Sequence, residues 1–273
     1  MFNHARQARR SAGFSLTDLM IVTVVIVGVL AMQLPTDAAS RRTAKRMQNS
    51  TQLRGIHQGL VTFANSNKNN FAGLNSRGET LPDNDRNTGS SGDGEFVQAR
   101  YWIMLRGDFF TPEYAISPSE TAKVTEYEPG LDNIAAPVQW NDRVKHYSYA
   151  MLDIREASPG RRAEWKQTLN SQSIVLTDRN AGHDAGERVA SIHTDGEGEW
   201  RGSVLWNDNH VAFDNQHDYF ATKYGAGALL QKEGADWGDG YDNLFSSEND
   251  GNDKAGNDAL MLIADKDVVH DKE

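Results

Sequence analysis

The 273-residue chain contains no cysteine. Disulfides, thiolate zinc sites, iron–sulfur clusters and cysteine nucleophiles are therefore excluded. Positive charge is also scarce: 28 Lys and Arg stand against 38 Asp and Glu, a formal net charge of −10. Non-specific nucleic-acid binding needs a basic face that displaces counterions from phosphates, so nucleic acid is not an expected partner. Catalytic signatures are missing too. There is no HExxH, GxSxG or GxxxxGK[ST], and no GxGxxG after a strand, so neither a metalloprotease helix, a nucleophile elbow nor a phosphate cradle is offered. Acid is absent from residues 1–13, which carry Arg6, Arg9 and Arg10; without them the net charge is −10 − 3 = −13. With 38% hydrophobic and 24% charged residues, the chain can nonetheless build a packed core.

Against this background one segment stands out. Residues 14–32 form a 19-residue run, FSLTDLMIVTVVIVGVLAM, whose only charge is Asp18. As a helix it would be about 28 Å long, close to the thickness of a hydrocarbon core. An ordinary cleaved signal has an apolar region of about 7–15 residues, so a membrane anchor is expected instead. An unpaired carboxylate there costs about 2.5–3.5 kcal/mol, which makes Asp18 a residue retained for a reason. Pro35 predicts a kink. Beyond it, Met47, Leu53, Ile56, Leu60, Val61, Phe63 and Ala64 recur mainly at steps of three and four, the stripe of an amphipathic helix. Gly55 and Gly59 weaken that helix locally, and the Asn-rich stretch at 65–70 ends it. The expected helix thus covers about 14–65, transmembrane over 14–34, with an amphipathic continuation over 35–70. His57 reads as a solvated or capping residue.

The remainder, 71–273, reads as an α+β head with an acidic C-terminal loop region. Residues 71–100, with NTGSSGDGE at 87–95, have loop composition. Residues 101–105, with Phe109 and Phe110, form an apolar cluster of short helix or strand, and Pro112, Pro118, Pro129 and Pro137 break the next region into turns and short pieces. Strands are predicted at 146–152, 173–178 and 188–193, and a hairpin at 202–214 turns on Asn207, Asp208 and Asn209. Residues 259–265 read as a last strand or short helix. The fold class is α+β, with the long N-terminal helix packed on an antiparallel sheet.

The polar inventory of the head includes His146, Asp178, His183, His193, Asp195, Asp208, His210, His217 and Asp218. His193, Asp208 and His210 would suit zinc or manganese if brought together, but histidines at strand ends more often hold turns. Asp236, Asp239, Asp242, Asp250 and Asp253 supply hard oxygen ligands on Gly-rich loops, which suits calcium, although the spacing is not that of an EF-hand. A solvated acidic loop is the plainer reading. The six tryptophans could furnish stacking surfaces for a ligand, though tryptophan is more often core.

Gly13-Phe14-Ser15-Leu16-Thr17-Asp18 and the apolar run after it resemble the cleavage and methylation motif of type IV prepilins and pseudopilins. The resemblance implies cutting between Gly13 and Phe14 by a prepilin peptidase, methylation of the new amine at Phe14, and an assembly role for Asp18. The family normally has glutamate at that fifth mature position. A neighbouring subunit's Asp18 could then neutralise the Phe14 amine. Pro35 and the stretch MQNSTQLRGIHQGLVTFANSNKNNF extend the resemblance. SIHTDGEGEWRGSVLWNDNHVAFD further resembles the H-X9-DG signature of prepilin-type processing-associated proteins, opened by His193 and closed by Asp208 and His210. Here Asn209 stands for the usual glycine and the gap is longer. The resemblance implies a non-enzymatic, pilin-like subunit of a type IV pilus-like or type II secretion-like fibre. Its partners would be the prepilin peptidase, other pilin-like subunits through the N-terminal helix, and secretion or pilus assembly machinery. It would sit in the bacterial inner membrane, leader cytoplasmic and the exported head periplasmic or in an extracytoplasmic fibre. Basic residues alone do not orient it, since Arg41, Arg42, Lys45 and Arg46 come after the run as Arg6, Arg9 and Arg10 precede it. The competing readings are an anchored exported binding protein for a carbohydrate or protein, and a tethered metallohydrolase.

Overall fold

Ser15 and Asp18 set where the first helix begins. The Ser15 hydroxyl accepts from the Thr17 N–H at 3.1 Å, and Asp18 Oδ2 accepts from the Ser15 N–H at 3.2 Å. This reciprocal capping box satisfies donors that a helix start leaves open. In the structure, a computed structural model, the described residues are 13, 15–81, 97–120, 147–155, 159–182, 189–194, 199–226, 242–245 and 259–262, and within the first helix the side chains of 31–38 are not described. The leader up to residue 12, Phe14, the expected loop at 87–95 and the turns at Pro129 and Pro137 lie outside the described residues.

Helix α1, Leu16–Ser66, runs 51 residues and includes Pro35. Its end is local chemistry: the N–H groups of Asn67 and Asn69 both reach the Ala64 carbonyl at 2.9 Å, while Lys68 and Asn69 adopt φ of 50° and 67°. Asparagine tolerates that left-handed turn better than most residues. The chain divides into two compact units, 1–44 and 45–273.

In the first unit every large apolar side chain of residues 16–30 is at least 46% exposed. Among the described residues no helix is long and apolar enough to cross a membrane. The described side chains of the run stop at Leu30, short of the about 20 residues a span requires.

In the second unit the stripe of α1 becomes core: Leu53, Ile56, Leu60 and Ala64 are fully buried. The two glycines that weaken the helical pattern have a packing reason. A Cβ at Gly55 would lie 2.2 Å from the Tyr114 ring, and one at Gly59 would lie 3.0 Å from both the Phe109 carbonyl and the Phe110 ring. The sheet consists of β1 Tyr149–Leu152, β2 Ile174–Asp178, β3 Gly202–Trp206, β4 Val211–Asp214 and β5 Met261–Leu262. Its order is β4-β3-β2-β1-β5, with every pairing antiparallel. All residues of β1 and β2 are buried, so both faces of the sheet are covered there. Helix α2, Val97–Arg106, a 3₁₀ turn, Pro112–Ala115, and helix α3, Pro159–Glu164, complete the described elements.

The expected α+β class is what is found, with differences in detail. Helix α2 starts inside the segment whose composition reads as loop. Its residues 97–105 are all buried, and a helix buried all round leaves no polar-apolar stripe to read. Of the strand expected at 188–193, the described residues 189–193 form none: only Ala190 makes a bridge, and Ile192 and His193 lie in a turn. Asn180 Oδ1 takes the N–H groups of Gly182 and Ala190, each at 2.9 Å, and so diverts backbone donors from a ladder. Of the four described tryptophans, Trp102, Trp165 and Trp200 are buried in the core and Trp206 packs partly against it; Trp140 and Trp237 lie outside the described residues.

His57 is not solvated but 2% exposed, its ring 5.7 Å edge-on to Phe71. Burial lowers its pKa from 6.5 to about 4, only partly offset by the Asn207 side chain, the Asp208 carboxylate and the Asn209 side chain nearby. Because the folded pKa is depressed, the unfolded chain binds the extra proton first. The stability His57 contributes is complete above about pH 6.5 and is lost as pH falls through about 4. At 1.36 kcal/mol per unit the loss reaches about 3 kcal/mol. Urea unfolding at pH 6.5 and pH 4 should therefore show a steeper loss for the native chain than for His57→Gln. Equal losses would mean that the ring is hydrated.

Candidate functional site

Asp178 closes β2 and is fully buried. A carboxylate without water needs donors from the protein, and three parts of the chain supply them. Asn49 Nδ2 on α1 lies 2.9 Å from both carboxylate oxygens. The Ser203 N–H on β3 donates to Oδ2 at 2.6 Å, and His193 Nε2 sits 2.8 Å from the same oxygen. Asn49 Nδ2 also meets the Ser203 hydroxyl at 2.9 Å.

The network continues from the other end of the Asn49 amide. Its Oδ1 accepts from the Ser117 hydroxyl at 2.7 Å and lies 2.8 Å from the Tyr149 hydroxyl. That hydroxyl is also 2.9 Å from Gln52 Oε1, and Gln52 Nε2 donates to the Glu113 carbonyl at 2.8 Å. Burial, and after it the negative charge of Asp178, push the Tyr149 hydroxyl well above its ordinary pKa of 10.0, so it stays a proton donor. One face of α1, one side of the sheet and the turn after β2 thus share a single polar cluster. Its hydrogen bonds point into protein, so the arrangement fixes geometry.

His193 is held twice more. Its N–H donates to the Ser191 hydroxyl at 3.0 Å, and its ring meets Phe213 edge-on at 5.2 Å. The Arg46 guanidinium covers Phe213 at 4.1 Å from the ring centre. Asp208 and His210 belong elsewhere. Asp208 Oδ1 accepts the His210 N–H at 3.1 Å and also touches its Nδ1, while the His210 ring stacks on Trp206 at 4.2 Å. Ser203 pairs with Phe213 and shares its face with it, whereas Trp206 alternates to the other face. His193 and His210 therefore lie on opposite sides of the sheet. The metal constellation His193–Asp208–His210 is not assembled, and among the described residues no three His, Asp or Glu are grouped to hold a metal ion. Asn209, in the signature's glycine position, has φ 69°, a left-handed conformation that glycine or asparagine accepts.

Gly13 is exposed, and an added Cβ would meet nothing within 4 Å. Asp18 is exposed and occupies the capping box, and Phe14 lies outside the described residues. Of the calcium-type ligands, Asp236, Asp239, Asp250 and Asp253 lie outside the described residues. Asp242 is buried, its Oδ2 taking the Thr222 hydroxyl and the Ala259 N–H. A groove of about 520 Å³ opens between Gln48 and Thr51 of α1 and Glu113, Tyr114, Ile116 and Pro118.

Sequence reasoning counted Asp178 only among the polar side chains and passed over Asn49. A signal for Asn49 exists: it stands four residues before Leu53, a polar residue on the apolar stripe 53, 56, 60 and 64. No protein-family model, curated protein or solved structure matches this chain.

Removing one partner of a buried carboxylate costs more than the bond's net worth, because the charge stays behind. Asn49→Ala should lower the unfolding free energy by about 2–4 kcal/mol and His193→Ala by about 1–3 kcal/mol. Both are to be read from urea curves. In a double-mutant cycle the two losses should not add, since both residues serve the same carboxylate. Additive or near-zero effects would refute the shared role.

Proposed function

We propose that this chain is a pilin-like structural subunit, anchored by the first part of α1 in a bacterial inner membrane and carrying its head outside the cytoplasm. The observation that supports this best is the division of labour along α1. Residues 16–30 expose apolar side chains all round the helix, with Asp18 the one charge among them. From Asn49 onward the same helix is tied into the head by the Asp178 network. A surface apolar all round is suited to lipid or to packing among like helices, whereas water disfavours it.

In this reading a prepilin peptidase cuts after Gly13, and the amine of Phe14 becomes a positive charge at the start of the helix. Asp18 of an adjacent subunit neutralises it as helices pack, so that neither charge is left bare in lipid. The capping box keeps Asp18 at the helix start until then. Separate cytoplasmic machinery would power assembly, since the chain has no nucleotide-binding motif. The groove beside Gln48 and Tyr114 is the one observation favouring the alternative, an anchored exported binding protein, because its volume falls in the range of ligand sites.

The decisive measurement is the mature N-terminus by mass spectrometry, in cells with and without the peptidase. Peptidase-dependent chains beginning at methylated Phe14 are expected. An intact leader, or cleavage near Ala39, would reject the pilin pathway and leave the binding protein. Asp18→Ala should still be processed and folded but fail to assemble, with Asp18→Glu restoring assembly. An Asp18→Ala chain that assembles normally would remove the charge-pairing step.

A further inference from the structure

Among the described residues ion pairing is uneven. In the head Arg77 holds Glu79, Arg155 and Arg161 hold Asp153, Arg179 holds Glu120 and Arg201 holds Glu199. Residues 38–54 of α1 carry Arg41, Arg42, Lys45, Arg46 and Arg54 with no acid among them, and all five are exposed. Among the described residues none of these five forms an ion pair. Met47, in the same stretch, is 68% exposed.

The opposite charge lies in the same chain. Residues 1–54 hold eight basic and two acidic side chains, leaving 20 basic and 36 acidic, or −16, on residues 55–273. Asp108, Glu113 and Asp218 are exposed acids of the head with no ion pair among the described residues. Every copy therefore brings a basic helical segment that the described acids leave uncovered, and an acidic head.

We propose that the basic segment 41–54 is a docking surface for the acidic head of a second copy of this chain. Charge complementarity selects that occupant. Two copies aligned in register would set basic segment against basic segment and acidic head against acidic head, which repels. Only a segment-to-head arrangement brings opposite charges together. An anionic bilayer would attract the segment yet repel the head that carries it. Screening at physiological salt reaches within about 8 Å, so the attraction acts only at contact and favours the offset arrangement over the level one. This deepens the assembly reading above and rests on it for its biological setting, but the pairing itself is measurable without processing or a membrane.

The test uses the full chain in neutral detergent micelles, followed by sedimentation velocity at 50 and 500 mM NaCl. Self-association should weaken at least tenfold at the higher salt. The variant Arg41→Glu/Arg42→Glu/Lys45→Glu should weaken it as much at 50 mM, with unchanged thermal unfolding. Arg46 is left intact in that variant because it covers Phe213; a second variant adds Arg46→Glu. Since the chain has no cysteine, Gln48→Cys can carry a photo-crosslinker, and mixing with an isotope-labelled copy should give crosslinks into residues 55–273. Association indifferent to salt and charge reversal, crosslinks confined to 38–54, or a chain monomeric at both salts would overturn the proposal. So would charge reversal that abolishes binding to phosphatidylglycerol vesicles while leaving self-association intact. Absent peptidase processing would reject the pilin reading alone and leave these readouts standing.

Discussion

The carboxylate of Asp178, buried at the end of a central strand, is the constraint on which the head depends. Burying it alone would be prohibitive, so the fold must deliver donors to it from every side. Asn49 comes from the helix, the Ser203 N–H from the neighbouring strand and His193 from the turn after β2. Each donor fixes the position of its own element. Apolar packing by Leu53, Ile56 and Leu60 supplies most of the favourable free energy, but it is tolerant of small slides. A fully satisfied polar cluster is not, and it sets the rotation and register of α1 on the sheet.

That constraint gives the long helix two characters. Over 16–30 it is apolar all round. From Asn49 onward it is amphipathic and locked. Between them lies a basic stretch whose charges the described acids leave unpaired. The Asn49 cluster fixes the helix from residue 45 onward against the sheet of its own unit.

His193 shows how a candidate site residue can be read physically. With Asp208 and His210 it offers ligand types that suit a metal, yet the sheet stands between His193 and His210. Its partner is Asp178, and its ring is packed by Phe213. In the hairpin turn Asn209 takes a left-handed position, φ 69°, that asparagine accepts more readily than most residues. His193 therefore ties β2 to the hairpin, whereas Asp208 and His210 hold the turn itself.

What the sequence alone determined were features carried by neighbours along the chain. The extent of α1 was legible within two residues, because the apolar run opens it, the steps of three and four carry it on and asparagines end it within a turn or so. The hairpin at 202–214 and strand β2 were legible because β-rich runs flank residues suited to a turn. Tertiary structure alone decided the rest. Asn49 meets Asp178 across 129 positions, and His57 is buried because the hairpin turn and the loop after α1 close over it. Helix α2 gave no periodic stripe because it is covered on all sides, and 188–193 failed as a strand because Asn180 competed for its backbone. Local patterns record how a segment can bury one face. They do not record which distant residue will supply the hydrogen bond once that face is buried, and that is where the candidate site arises.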